Sequence, residues 1–288
     1  MTATFQKPAS RSSASRAATL RRLRRTVFVL AATLAVPAFA ADDPLEQFRP
    51  TGSATFNHSA FDAILEAHVK PDGEGYNQVD YKSLAADHGK LDAYLDALAA
   101  FDPTTLSEDE AHAYWINTYN AKTLDVILDH YPTKSIKRIN LGGALFRGGP
   151  WSKEILEVNG TPLTLDDVEH RIVRAIFLDP MSHYGLNCAS YSCPNLMTDA
   201  YTGETLDALL AESGRQYVEH DRGVKIEDGA ITASKIFDWY ADDFGGEGKL
   251  KEHWASLATP EKAAAIEAAE IARYRYDWSL NDIGNAGS

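Results

Sequence analysis

Residues 183–196, HYGLNCASYSCPNL, bring together His183, Cys188 and Cys193, and these are the chain's two cysteines. Three chemistries suit such a set. A thiolate attacks an acyl carbon readily, and an imidazole can take the thiol's proton. His183, five positions before Cys188, and His170, on the preceding predicted helix, are the two candidate bases. An acid behind the base would fix its tautomer. Glu169 could do this for His183, though not readily for the adjacent His170, and Asp277 is a more distant choice. The second chemistry is a Cys188–Cys193 disulfide, which five positions allow if the loop turns. The third is metal binding, since the set suits zinc or copper(I). However, H-x4-C-x4-C matches no common zinc signature, and no fourth ligand is evident. The residue types leave the choice among these open.

Asn117 and Asn120, three apart in an otherwise apolar segment, share a helical face. Each either ties its helix to a neighbouring loop backbone or offers an amide to an oxyanion or substrate. The chain has no H-E-x-x-H, G-x-G-x-x-G, G-x-x-x-x-G-K or G-x-S-x-G. Asp242-Asp243 resembles a calcium motif by composition alone, without the alternating ligands of an EF-hand loop. Gly142-Gly143 and Gly148-Gly149 flank Leu145-Phe146-Arg147 and read as turn residues rather than a lid.

These residues need elements to hold them. Residues 58–70 put Phe61, Ile64, Leu65 and Val69 on one helical face, and residues 71–75 (PDGEG) end that helix. Tyr76 to Tyr81 is a short extended or turn segment. Residues 88–100 align Leu91, Leu95 and Leu98. The strongest helix signal runs over 107–130, with Ser107 and Glu110 as a capping box and apolar residues on much of its circumference, which predicts a central helix. Asn159-Gly160 and Asp228-Gly229 predict hairpins. Thr164, with Asp167 three residues on, caps a helix to about Phe177. Leu178 to Cys188 reads as a strand or loop, and a helix follows from Thr205 to about His220. Thr259 caps a helix opened by Pro260 and running to about Ala272. Residues 273–280 look extended. Helices interleaved with short hairpins, with no repeat and no regular βαβ alternation, predict a single globular α+β domain over 58–288, after a lead-in at 41–57.

Three stretches together resemble the DUF547 family, whose members have little assigned function: YWINTYNA at 114–121, followed by Tyr131-Pro132 and Ser135-Ile136; LTLDDVEH at 163–170, with Arg174 close behind; and the 183–196 segment itself. Residues 276–281, YDWSLN, resemble the family's C-terminal end. The resemblance covers roughly residues 76–281, and recurs at Asn117, Asn120, Glu169, His170, His183, Cys188 and Cys193. It implies a site near 183–193 and names no reaction. A comparison with papain-like thiol enzymes, including a papain-like broad architecture, is a further expectation that the spacing does not itself establish.

The chain carries 28 Lys+Arg against 41 Asp+Glu, a formal net charge of −13. Residues 1–40 hold Lys7, Arg11, Arg16, Arg21, Arg22, Arg24 and Arg25 and no acid, so the remainder is more acidic still. That disfavours nucleic acid and anionic lipid as partners. RRLRR, the apolar run TVFVLAATLAV and Ala38-Phe39-Ala40 form, in order, the parts of an export signal cleaved after Ala40. The apolar run is shorter than the ~20 residues a membrane-crossing helix needs. The expected product is periplasmic or secreted, without stable membrane insertion. Its expected activity is that of a thiol-dependent hydrolase or acyl-transferase on peptide or amide bonds, with Cys188 as nucleophile, His183 as base, Glu169 orienting it and Asn117 steadying the oxyanion. No cofactor or metal is expected, and the partner is a peptide-like or small-molecule envelope substrate. The alternative is a non-enzymatic binding or accessory protein in which a Cys188–Cys193 disulfide closes a loop.

Overall fold

The computed structural model describes residues 43–141 and 149–283. The predicted export segment and the glycine-flanked stretch at 142–148 lie outside the described residues. A 3-10 turn at Pro44–Phe48 buries Leu45 and Phe48, so the segment expected only as a lead-in contributes to the core.

Helix α1 (Ser59–His68) buries Phe61, Ile64 and Leu65, as the periodicity requires. The hairpin β1 (Val69–Pro71) and β2 (Asn77–Val79) follows, then a single turn α2 (Tyr81–Leu84) and α3 (His88–Ala99). Helix α4 (Glu108–Leu128) is the long central helix, buried on every face from Glu110 to Leu128 apart from Lys122. The expected capping box does not form: Ser107 makes no side-chain cap, and Glu110 instead accepts from the backbone amides of Phe56 and Gly203. A buried carboxylate gains more from two fixed amide donors than from one frayed helix end.

Strands β3 (Leu156–Val158) and β4 (Thr161–Leu163) close over Asn159 and Gly160, both at positive φ as a tight hairpin turn requires. Thr164 and Asp167 cap each other reciprocally, and the helix they open, Asp167–Phe177, is wound as a π-helix. The stretch expected as strand or loop contains instead a one-turn helix, α5 (Ser182–Gly185). Helix α6 (Leu206–Glu219) leads to β5 (Val224–Glu227) and β6 (Ala230–Ser234). Beyond them lie α7 (Ile236–Trp239), α8 (Leu250–Leu257) and α9 (Pro260–Ala268), which ends earlier than its alanine-rich sequence suggests. Strand β7 (Glu270–Arg275) pairs parallel with β6, which pairs antiparallel with β5.

The fold is a single globular α+β domain with short hairpins around helices. Its larger apolar cluster surrounds α4, and a second one gathers Tyr184, Tyr217, Phe237 and Trp254. No helix among the described residues is long and apolar enough to cross a membrane.

Candidate active site

The loop after α5 is set by α4. Asn120 donates to the Gly185 carbonyl and accepts from the Asn187 amide, both at 2.8 Å. Asn187 in turn donates to the Pro194 carbonyl at 2.7 Å and accepts from the Ala189 amide at 3.0 Å. Ala189 adopts φ +58°, a left-handed conformation uncommon for a residue with a Cβ. The turn persists because its backbone is held from both sides. Tyr191 and Ser192 donate to the carbonyls of Ser279 and Asp277, while Asn281 donates to the Ala189 carbonyl.

This C-terminal clamp delivers Tyr276 to the thiols. Around Cys188 Sγ stand Cys193 Sγ at 3.0 Å, Tyr276 Oη at 3.2 Å and Ser190 Oγ at 3.3 Å. The hydrogen bond from Cys193, helped by those of Ser190 and Tyr276, holds the Cys188 thiol below its ordinary value against the cost of burial. Burial pushes the Cys193 thiol up, and both thiols are free.

His183 projects from α5, buried, with its ring stacked on Tyr240 at 4.2 Å between centroids. Its Nε2 lies 2.7 Å from Asp243 Oδ2. A carboxylate can only accept, so Nε2 carries a proton, and in the neutral imidazole the lone pair is then on Nδ1. Asp243 is itself gripped by Arg174 from the π-helix, Nε at 2.6 Å and a terminal nitrogen at 2.9 Å. The bonds from His183 and then Arg174 hold the Asp243 carboxyl well below the usual carboxylate range.

Glu169 accepts from Tyr240 Oη at 2.6 Å, so the acid on His183 is Asp243 and not Glu169. His170, beside it, accepts from Arg174 at 3.3 Å. Asn117 is elsewhere: it donates to the Tyr201 carbonyl and accepts from the Tyr201 amide, which occupies its amide group on structure. Asp277 lends its backbone to the loop clamp.

Cys188, Cys193, His183, Glu169 and His170 line one cleft of about 160 Å³. Its other walls are largely aromatic: Trp151, Trp239, Trp278, Tyr240 and Tyr276. These rings pack at tilted angles, Tyr276 on Trp278 at 4.5 Å and Trp239 on Tyr276 at 5.0 Å between centroids. No hydrogen bond joins Cys188 to His183. Asp243, Tyr276 and Ser190 are the polar groups that sequence reasoning did not single out for chemistry. Only the adjacency of the acidic pair Asp242-Asp243 was visible, and its likeness to a calcium motif was one of composition alone. Outside this cleft, the ligand-type side chains His88, Asp125 and Asp129 gather, but Lys122 already pairs with Asp125 at 2.6 Å.

An α+β domain whose thiol pair and buried imidazole line one aromatic cleft, with a carboxylate bonded to the imidazole from outside the lining, is the class this geometry defines. Residues 103–218 match the family model described as "Protein of unknown function, DUF547". The match takes in α4, the π-helix and both cysteines, and stops before Asp243 and Tyr276. No curated protein and no solved structure matches the chain.

Proposed function

We propose that the protein is a thiol-dependent hydrolase or acyl-transferase that acts on a peptide or amide bond in the cell envelope, as a periplasmic or secreted protein. The observation that carries this reading is the sharing of one cleft by a hydrogen-bonded, partly accessible Cys188 and a His183 whose tautomer is set by Asp243. The cellular location rests on the signal-like residues 21–40.

Cys188 gives its proton to Nδ1 of His183, and the thiolate attacks the carbonyl carbon of the bound amide. The imidazolium is stabilised by Asp243, which is kept ionised by Arg174. His183 then hands the proton to the departing amine, leaving an acyl–Cys188 thioester and the free amine. Water, or a second amine in acyl transfer, attacks the thioester with His183 as base, and Cys188 recovers its proton. Because Cys188 and His183 share no hydrogen bond before substrate arrives, the transfer requires the closer approach that a bound substrate imposes. Tyr276, which accepts the Ser190 hydroxyl proton at 2.8 Å and so keeps its own proton free for the charged sulfur, is the side-chain donor placed to serve the carbonyl oxygen once that charge moves. The aromatic walls suit the apolar side chains flanking a scissile bond, and the narrow cleft suits an extended chain. The likeness to papain-like thiol enzymes rests on this division of labour among thiol, imidazole and acid, and not on strand order or pairing.

The alternative, a binding protein whose disulfide closes the loop, draws on the 3.0 Å separation of the sulfurs. One experiment separates the two. The mature protein is assayed on a library of peptide anilides with reductant present, alongside Cys188→Ser and His183→Ala. Turnover lost in both variants, with the fold intact by circular dichroism, supports the enzyme. Cleavage that survives Cys188→Ser removes the nucleophile.

A further inference from the structure

We propose that Cys188 and Cys193 are a redox couple that undergoes thiol–disulfide exchange, an activity distinct from acyl transfer that does not require it. The two sulfurs stand 3.0 Å apart, against about 2.05 Å in a disulfide, so joining them takes roughly 1 Å of sulfur movement. The backbone between them is already in the closed form. Cys193 donates its amide to the Ser190 carbonyl at 3.0 Å, and the Cys188 amide points at Cys193 Sγ at 3.0 Å. Asn187, Ser279 and Asp277 hold the rest of the loop. Little chain entropy is left to lose on closure.

The partners are unequal in the way exchange requires. Both line the cleft, but Cys188 is partly exposed while Cys193 is buried at 3% exposure. The accessible, hydrogen-bonded thiol attacks and the buried one resolves. The co-reactant is a disulfide, small-molecule or protein. Cys188 thiolate attacks one sulfur of R–S–S–R, forming a Cys188–S–S–R mixed disulfide and releasing one R–S⁻. Cys193 loses its proton, attacks the Cys188 sulfur and releases the second R–S⁻. The protein has then lost two electrons and two protons, and the disulfide has become two thiols. The closed form has no free Cys188, so the same step withdraws the nucleophile from any acyl chemistry in the cleft.

The test uses oxidised glutathione as the disulfide and intact mass after acid quench and alkylation as the readout. No hydrolytic assay enters, so this inference and the hydrolase reading can fail separately. Folded mature protein, first reduced with dithiothreitol, is expected to lose both free thiols and carry no glutathione. Cys193→Ser is expected to stop at the mixed disulfide on Cys188, and Cys188→Ser to form adduct at least ~10-fold more slowly, because its remaining thiol is buried. Dithiothreitol is expected to restore both thiols in the folded wild type. Wild-type protein that keeps two free thiols in excess oxidised glutathione overturns the proposal. So does one that ends as a stable glutathione adduct, or one whose native disulfide opens only on unfolding. The wild-type measurement decides the matter even where a variant fails to fold.

Discussion

Two residues touch the thiol and the imidazole of the cleft from distant parts of the chain. Tyr276 donates to the Cys188 sulfur from the far end of the chain. Tyr276→Phe keeps the ring in its aromatic packing and removes one hydrogen bond to the thiolate. Its expected effect is a rise in the Cys188 pKa and a ~3–10-fold slower alkylation by iodoacetamide near neutral pH. An unchanged rate-against-pH profile would show that the hydroxyl does not act on the thiol. Asp243 is the second. Asp243→Asn keeps the shape but can present an N–H to His183, favouring the wrong tautomer, and leaves Arg174 without its carboxylate. If acyl transfer occurs, its kcat/KM is expected to fall by ~10²–10⁴. The cysteine alkylation of the same variant reports whether the loop itself has moved. A kcat/KM within a factor of about two of wild type would remove Asp243 from the mechanism.

At the scale of elements, α4 does different work with two amides one turn apart. Asn117 anchors the segment at Tyr201, and Asn120 anchors the thiol loop. Replacing either by Leu strands buried backbone groups and is expected to cost roughly 1–3 kcal/mol, read as a lower urea midpoint at unchanged m-value. Only Asn120→Leu is expected to alter Cys188 alkylation as well. Equal effects of the two on the thiol would contradict this assignment. Arg222 plays a similar part from the β5 side. It is buried with no carboxylate partner among the described residues. Its guanidinium reaches the carbonyls of Cys193 and Gly75 and the Asn195 side chain, and lies over Tyr76 at 4.7 Å. Burial pulls its pKa down, yet a guanidinium stays charged. Lysine offers no planar fork and can deprotonate, so Arg222→Lys is expected to lose roughly 2–4 kcal/mol in urea unfolding. A midpoint matching wild type would mean the planar geometry is not needed.

The whole molecule carries a built-in acid sensitivity. His58 bonds Tyr94 Oη at 2.6 Å, and His112 bonds Ser182 Oγ at 2.7 Å and stacks on Phe177. Burial lowers both to about 4 from 6.5. His253 and His220 are lowered in the same sense. Between those values the unfolded chain binds protons that the native one refuses, so stability falls as pH drops from about 6.5 toward 4. At about 1.4 kcal/mol per unit, His58 and His112 each contribute up to ~3 kcal/mol. His88, raised by its bond to Asp125, works in the opposite direction: its contribution is present below 6.5 and is lost as pH rises through its folded value. Asp243, lowered, loses its contribution only below about 3.8. The net expectation is a lower urea midpoint at about pH 5 than at about pH 7.5. Equal midpoints would show that these histidines protonate freely in the native state.

Local chemistry made much of this legible in advance. Asn159-Gly160 and Asp228-Gly229 dictate their hairpins because few other residues accept positive φ. The apolar circumference of α4 could only be buried, and Thr164 with Asp167 could satisfy each other without help from elsewhere. The thiols and His183 were visible because they are close in sequence and rare in type. The long-range pairings were not. Asp243 meets His183 across 60 positions, and Tyr276 meets Cys188 across 88, through contacts that no spacing rule encodes. The same holds for Glu110, whose spacing from Ser107 suited a cap until two distant backbone amides competed for its carboxylate. Composition and periodicity report what a segment prefers by itself. Which acid faces which base depends on how whole elements pack, and that energy is shared across the core rather than written at any one residue.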